Sequence, residues 1–321
     1  MTTHTLPTVT DVLAAAERIR PYVRRTPVLR AEVDGRPVVF KLEHLQRTGS
    51  FKLRGALNAL LAGPLPDRVV TASGGNHGLA VAEAARLLGV SATVYVPENA
   101  PEAKTARISA TGATLVRHGR NYAEAALAAA AAVGTDLYLP PYDDPLVVAG
   151  QGTVALEIVA DVPEVDTLVA AVGGGGLAAG ISLGGAGRSV VAVEPENCCC
   201  LHSALAAGGP VESPVDSVAA SALGASSVSD LTYSLLQGAD SVLVSDGELL
   251  AARDRLWEEF RLAVEPAAAV PFAAWLAGRV AGDVACLVLC GANSEWGPAL
   301  ARQRHGRARS EATISRNDHH L

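Results

Sequence analysis

Lysine is scarce in this 321-residue sequence: only Lys41, Lys52 and Lys104 stand among its 26 basic residues, the rest being arginine. Positive charge as a whole is outweighed, since Asp and Glu number 33 and the formal net charge is −7. Long-range electrostatics would not draw such a surface to nucleic acid or to an anionic membrane, so neither is expected as a partner. The one locally basic segment, 302–316, mixes Gly, Ser, Asn and His and reads as a solvated end, with 311–321 a disordered tail. Long apolar runs are missing too. No stretch approaches the ~20 residues needed to span a bilayer, and the first ten residues hold no basic segment followed by an apolar one. The expected location is the cytoplasm. Cysteines number five, of which Cys198, Cys199 and Cys200 are consecutive and the others are Cys286 and Cys290. Adjacent cysteines cannot build a framework of separated disulfides, so reduced thiols are expected.

What is present suits a large core: 49% of residues are hydrophobic and 18% charged. Short β-branched runs alternate with Ala- and Leu-rich segments. Strands are predicted at 38–42, 68–72, 92–96, 114–116, 167–172, 189–193, 241–244 and 284–289, and helices at 12–19, 51–62, 78–88, 102–111, 122–133, 153–159, 246–260 and 267–276. This alternation belongs to α/β folds with parallel sheets. Segment 134–145, with Pro140, Pro141 and Pro145, interrupts it and reads as a crossing between domains.

Three glycine-rich strings each follow a predicted strand: A-S-G-G-N-H-G at 72–78, V-G-G-G-G-L-A-A-G at 172–180 and C-G-A-N at 290–293. At the carboxyl ends of strands in open α/β sheets, such glycines let backbone N–H groups close on an anion. For Gly173 to Gly176 the alternative is a flexible turn, but the run is wedged between an apolar strand and a small-residue helix. No Lys-Ser/Thr follows, as a nucleotide P-loop requires, and the glycines lack dinucleotide-fold spacing. A cofactor with a single phosphate remains. Lys52 begins the helix predicted at 51–62, for which Ser50 is the expected N-cap. Leu53, Leu57, Leu60 and Leu61 make its apolar face, and Lys52, Ala56 and Ala59 a stripe with room for a flat ligand. The helix's own field at its first turn favours a neutral amine, which suits a Schiff-base lysine; the alternative is an exposed surface charge.

The string L-E-H-L-Q-R-T-G-S-F-K-L-R-G-A at 42–56 resembles the lysine motif of fold-type II pyridoxal-phosphate enzymes, in particular the threonine/serine dehydratase and serine racemase family. S-G-G-N-H-G at 73, A-G-Q-G-T at 149, G-G-G-G-L at 173, V-E-P-E-N at 193 and V-E-P-A-A-A-V at 264 fit in the same order, with C-G-A-N following, so the likeness runs from about 26 to about 293. It implies two open, mostly parallel twisted sheets flanked by helices, like the tryptophan synthase β chain. A large cofactor-binding domain of 1–66 and 146–310 would then hold a small inserted domain of 67–145. It further implies that Lys52 forms the Schiff base with pyridoxal 5′-phosphate and acts as the base at the substrate α-carbon. Phe51 packs near the pyridine ring, and Asn76 bonds its 3′-oxygen. Gly173, Gly174, Gly175, Gly176 and Leu177 hold the phosphate, and Cys290 faces the pyridine nitrogen. Ser50, Ser73, Gly75 and His77 lie where the family binds the substrate carboxylate.

The activity implied is that of an ammonia-lyase eliminating the β-hydroxyl of L-threonine, L-serine or a related amino acid, in a homodimer. The alternatives are β-replacement or racemisation on the same fold, or a homologue that has lost catalysis. A neutral thiol at Cys290 makes a weaker electron sink than a carboxylate partner would, which suits prompt elimination. Several positions depart from the family pattern. Gly74 replaces the serine that serves the racemase as opposite-face acid/base. Glu194 and Cys200 match a metal-binding Glu and Asp, and the missing oxygen leaves no metal expected; a soft-metal site of Cys198 to Cys200 with His202 is set against simply packed thiols. Ala219-Ala220-Ser221 and His44 replace family residues expected to border the site, so the substrate need not be threonine. No C-terminal regulatory domain is expected after the last motif.

Overall fold

A computed structural model describes residues 5–293. The expected end of the larger domain at 310 and the tail 311–321 lie outside the described residues. Two sheets organise the chain. The larger has six strands in the order β1-β2-β10-β7-β8-β9. These are β1 Val28–Val33, β2 Arg36–Lys41, β7 Thr167–Ala171, β8 Ser189–Pro195, β9 Asp240–Val244 and β10 Ala285–Val288. All neighbours pair parallel except β1 with β2. The smaller is wholly parallel, in the order β5-β4-β3-β6, from β3 Arg68–Ala72, β4 Ser91–Val96, β5 Thr114–Arg117 and β6 Leu137–Tyr138. Every residue of β7 and β10 is buried, as parallel strands covered on both faces require.

Helices α1 Val9–Ile19, α2 Lys52–Leu61, α3 Asn76–Leu88, α4 Glu102–Ser109, α5 Tyr122–Ala132 and α6 Pro145–Asp161 cover the first half. The second half carries α7 Gly176–Gly184, α8 Cys200–Ala207, α9 Ala220–Leu223, α10 Asp230–Leu236, α11 Asp246–Phe260 and α12 Pro266–Leu276. Each predicted strand and helix has its counterpart. Strand β6 and helices α8, α9 and α10 have no predicted counterpart, and β1 and α6 depart from expectation for clear physical reasons. The antiparallel β1 comes from a hairpin closed by Asp34 and Gly35, both at positive φ, which matches a two-residue turn. Helix α6 starts eight residues before the predicted 153, through Gly150 and Gly152. Those glycines are contact notches: a Cβ on Gly150 would sit 2.6 Å from Gly55 Cα, and one on Gly152 would sit 2.7 Å from the Gly180 carbonyl. The main apolar core lies between the larger sheet and helices α6, α7, α11 and α12.

Candidate active site

The loops that follow β3, β4, β6, β7 and β10 converge on one cavity of roughly 590 Å³, so the carboxyl ends of both sheets face the same space. Phe51 and Lys52 enter it at the head of α2. The Lys52 amine donates to the Pro141 carbonyl at 2.7 Å and makes no ion pair among the described residues. Burial pushes its pKa down to about 8, against a small opposing pull from Cys290.

The start of α2 differs from the expected cap. Phe51 already has helical φ and ψ, and no side chain caps the helix. Ser50 is drawn into an antiparallel bridge with Gly291, while the Phe51 N–H donates to the Cys290 carbonyl at 3.1 Å. Ser50 Oγ is left buried without a partner. It does not line the cavity. Ala56 and Ala59 do not line it either: they pack with Leu53, Leu57 and Leu60 in an apolar cluster, so space for a flat ligand comes from the glycine loops, not from an alanine stripe.

What holds α2 is a buried charge cluster two residues beyond the lysine. Arg54, fully buried, donates to Glu43 at 2.7 and 2.9 Å and to Glu157 at 2.8 and 3.0 Å. Lys41 adds a 2.6 Å bond to Glu157. Two cations thus meet two anions. Burial alone would raise the Glu43 carboxyl, but Arg54 and Lys41 outweigh it and leave the group below its ordinary range.

The glycine loop after β7 places Gly173, Gly174, Gly175, Gly176 and Leu177 on the cavity wall. Gly175, at φ +89, is the N-cap of α7, which no side chain caps, so the amino end of that helix faces the cavity undressed. A Cβ on Gly174 would fall 2.2 Å from the Tyr142 ring, whose hydroxyl donates to the Ser227 carbonyl. Ser73, Gly75, Asn76 and His77 line the opposite wall at the amino end of α3. The His77 ring donates from Nε2 to the Leu139 carbonyl at 3.0 Å, which leaves Nδ1 an unpartnered acceptor. Burial, and then the Lys52 charge, push its pKa down to about 3. A neutral imidazole in that tautomer has no second N–H to give a carboxylate; the backbone N–H groups at the start of α3 do. Cys290 lines the cavity as a thiol that burial keeps protonated.

Gly74 faces the cavity with room to spare, since a Cβ there would touch Val96 and Ala100 only at 3.6 and 3.7 Å. Ala220 and Ser221 line it, whereas His44 does not: its N–H donates to the Leu289 carbonyl at 2.8 Å behind the site. Glu194 accepts N–H bonds from Leu201 and His202 at 2.9 and 2.8 Å, and the Cys200 thiol donates to the Gly173 carbonyl. These groups are occupied by the protein itself. Among the described residues no three His, Cys, Asp or Glu side chains group as metal ligands. Motif reading gave no role to Glu265 or Asn293, and missed Pro141, Tyr142 and Lys104. The first two stand inside quoted strings; the others sit in segments whose place only the fold reveals.

A family model described as pyridoxal-phosphate dependent enzyme matches residues 19–291. The chain belongs to this family. Among relatives, the L-threonine ammonia-lyase of Geobacter sulfurreducens is 40% identical over 304 residues, 88% of this chain and 75% of that one. The serine racemase of Arabidopsis thaliana is 32% identical over 318 residues, 90% of this chain and 94% of that one. Among solved structures, the T.th. threonine deaminase has a TM-score of 0.85 at 37% identity, with 91% of this chain and 100% of that one covered. This pyridoxal-phosphate enzyme therefore has the type II fold, and its cavity fits the cofactor on its own features. It offers a half-buried amine with a lowered pKa, an uncapped helix start behind glycines that a Cβ would obstruct, and a neutral thiol.

Proposed function

We propose that this enzyme is an ammonia-lyase that eliminates the β-hydroxyl of L-threonine, L-serine or a related β-hydroxy amino acid, releasing a 2-oxo acid and ammonia. The observation that carries the reading is the Lys52 amine, set in one cavity with a protonated Cys290 thiol and a Gly74 that supplies no side chain. When bound, pyridoxal phosphate supplies the electron sink for charge developing at the substrate α-carbon. Lys52 Nζ takes the α-proton. Cys290 brings no negative charge to the ring nitrogen, so negative charge is not held long and the β-carbon–oxygen bond breaks promptly. The hydroxyl takes up one proton, balancing the one Lys52 removes from the α-carbon, and leaves as water; hydrolysis of the released enamine then yields the 2-oxo acid and ammonia. Gly173 to Leu177 and the amino end of α7 would hold the phosphate, Phe51 would border the ring and Asn76 would meet its 3′-oxygen. The backbone N–H groups of Asn76 and His77, at the free amino end of α3, bind the substrate carboxylate beside Ser73 and Gly75, whereas Ser50 lies outside the cavity wall.

The names of relatives support this choice: besides the L-threonine ammonia-lyase, an L-threo-3-hydroxyaspartate ammonia-lyase of Saccharomyces cerevisiae is 35% identical over 308 residues. The proposal includes, on the family resemblance, a cytoplasmic homodimer with 67–145 as its inserted small domain. No helix among the described residues is long and apolar enough to cross a membrane. Assaying the holoenzyme against a panel of β-hydroxy amino acids for 2-oxo acid, ammonia and the D-isomer tests the reading. Release of 2-oxo acid and ammonia in equal amounts is the expected result; a D-isomer as main product, or no 2-oxo acid from any of them, overturns it.

A further inference from the structure

The wall beneath Asn76 carries side chains that the elimination as written does not use: Glu265, Asn293 and, from α4, Arg107. We infer that Glu265 and Asn293 are positioning residues that lock the Asn76 carboxamide with an N–H, and not its carbonyl, toward the cofactor's ring oxygen. This rests on the proposed contact between Asn76 and that oxygen.

Hydrogen-bond polarity settles the orientation, starting from ends that cannot be reversed. Arg107 donates to Asn293 Oδ1 at 2.5 Å, and a guanidinium has no acceptor. Asn293 must therefore present its Nδ2 on the other side. That group donates to the Thr48 carbonyl, which has no proton to give, and to Asn76 Oδ1, both at 2.7 Å. With its oxygen taken, Asn76 presents its own Nδ2, which donates to Glu265 Oε1 at 2.7 Å. One Nδ2 hydrogen remains, and Asn76 lines the cavity. A carboxamide without these partners could turn over and offer its oxygen instead, repelling an anionic ring oxygen.

The backbone is shaped around this chain of bonds. A Cβ on Gly291 would lie 2.1 Å from Glu265 Oε1, so only glycine lets that carboxylate reach Asn76. Gly49, at φ +73, accepts the Ala292 N–H at 2.9 Å and passes so close to Asn293 that a Cβ would lie 2.7 Å from Oδ1. The T-G-S and C-G-A-N strings thus clasp each other. Burial raises the Glu265 carboxyl above its ordinary range, and the Asn76 N–H is the largest influence drawing it back.

The test compares Asn293→Asp, Glu265→Gln, Arg107→Ala and Asn76→Ala with the parent, measuring pyridoxal 5′-phosphate affinity of the apoprotein and the absorption spectrum of the holoenzyme. Asn293→Asp has no proton for Asn76 and should weaken cofactor binding about tenfold or more while shifting the cofactor absorption. Glu265→Gln keeps an oxygen that accepts the Asn76 N–H and should stay close to the parent. Arg107→Ala, an exposed change expected to leave the thermal midpoint of the apoprotein unmoved, should act as Asn293→Asp does in smaller measure. If Asn76→Ala changes affinity and spectrum while Asn293→Asp and Arg107→Ala match the parent, the positioning role is wrong and the Asn76 contact stands. If Asn76→Ala itself matches the parent, the contact is wrong and the inference falls with it.

Discussion

At Lys52 the amine has the Pro141 carbonyl as acceptor and burial that brings its pKa down to about 8. Its nucleophilic form is the neutral one, so a lowered pKa means more of it near neutrality. The rate of cofactor uptake by the apoprotein should rise about tenfold per pH unit below 8 and level off above it; stopped-flow absorbance across pH 6 to 10 checks this. A profile still rising at pH 10 would place the amine in water. Gly74 gives a second prediction at this scale. Its Cβ position meets only ordinary contacts, so Gly74→Ser should fold as well as the parent and put a hydroxyl into the cavity. Chiral chromatography should then detect D-isomer that the parent makes only in traces. At the residue scale, the structure brings Lys52 and the four glycines, which local strings single out, to the wall of one cavity. Sequence reading fails at Ser50, whose type suggests a cap while its backbone is committed to Gly291.

Among the elements, α2 is the one whose position the chemistry cannot spare. Arg54 ties it to Glu43, in the short helical turn after β2, and to Glu157 of α6 inside the protein. Removing one partner strands buried charges, so Arg54→Ala should cost about 3–5 kcal/mol by urea unfolding. An ordinary surface value near zero would mean that the cluster is solvated. The contact between α2 and α6 is equally tight at its glycines. Gly150→Ala must displace the Gly55 backbone and should cost about 1–3 kcal/mol. Periodicity located most elements, because alternating apolar runs and Ala-rich stretches differ in spacing. It shortened α6, since glycines that serve close packing look the same as glycines that end a helix. It also passed over β1, although Asp34-Gly35 is a hairpin signal in plain view.

Across the whole molecule, the cavity draws on segments near 51, 75, 142, 175, 221, 265 and 290, which only the pairing of β-strands brings together. The ordered motifs made most of these segments visible in the sequence. Local strings could not show that the Pro141 carbonyl receives the lysine, that His77 turns its N–H away, or that Asn293 reaches Asn76. Those are facts of distance between remote parts of the chain. The central claim is that one cavity lysine drives elimination of a β-hydroxyl. The most direct measurement is 2-oxo acid release from L-threonine and L-serine by the holoenzyme and by Lys52→Ala at matched cofactor concentration. The parent should turn over at least one of them, and the variant should fall by several orders of magnitude while keeping its fold. Lys52→Ala working at the parent's rate would contradict the account.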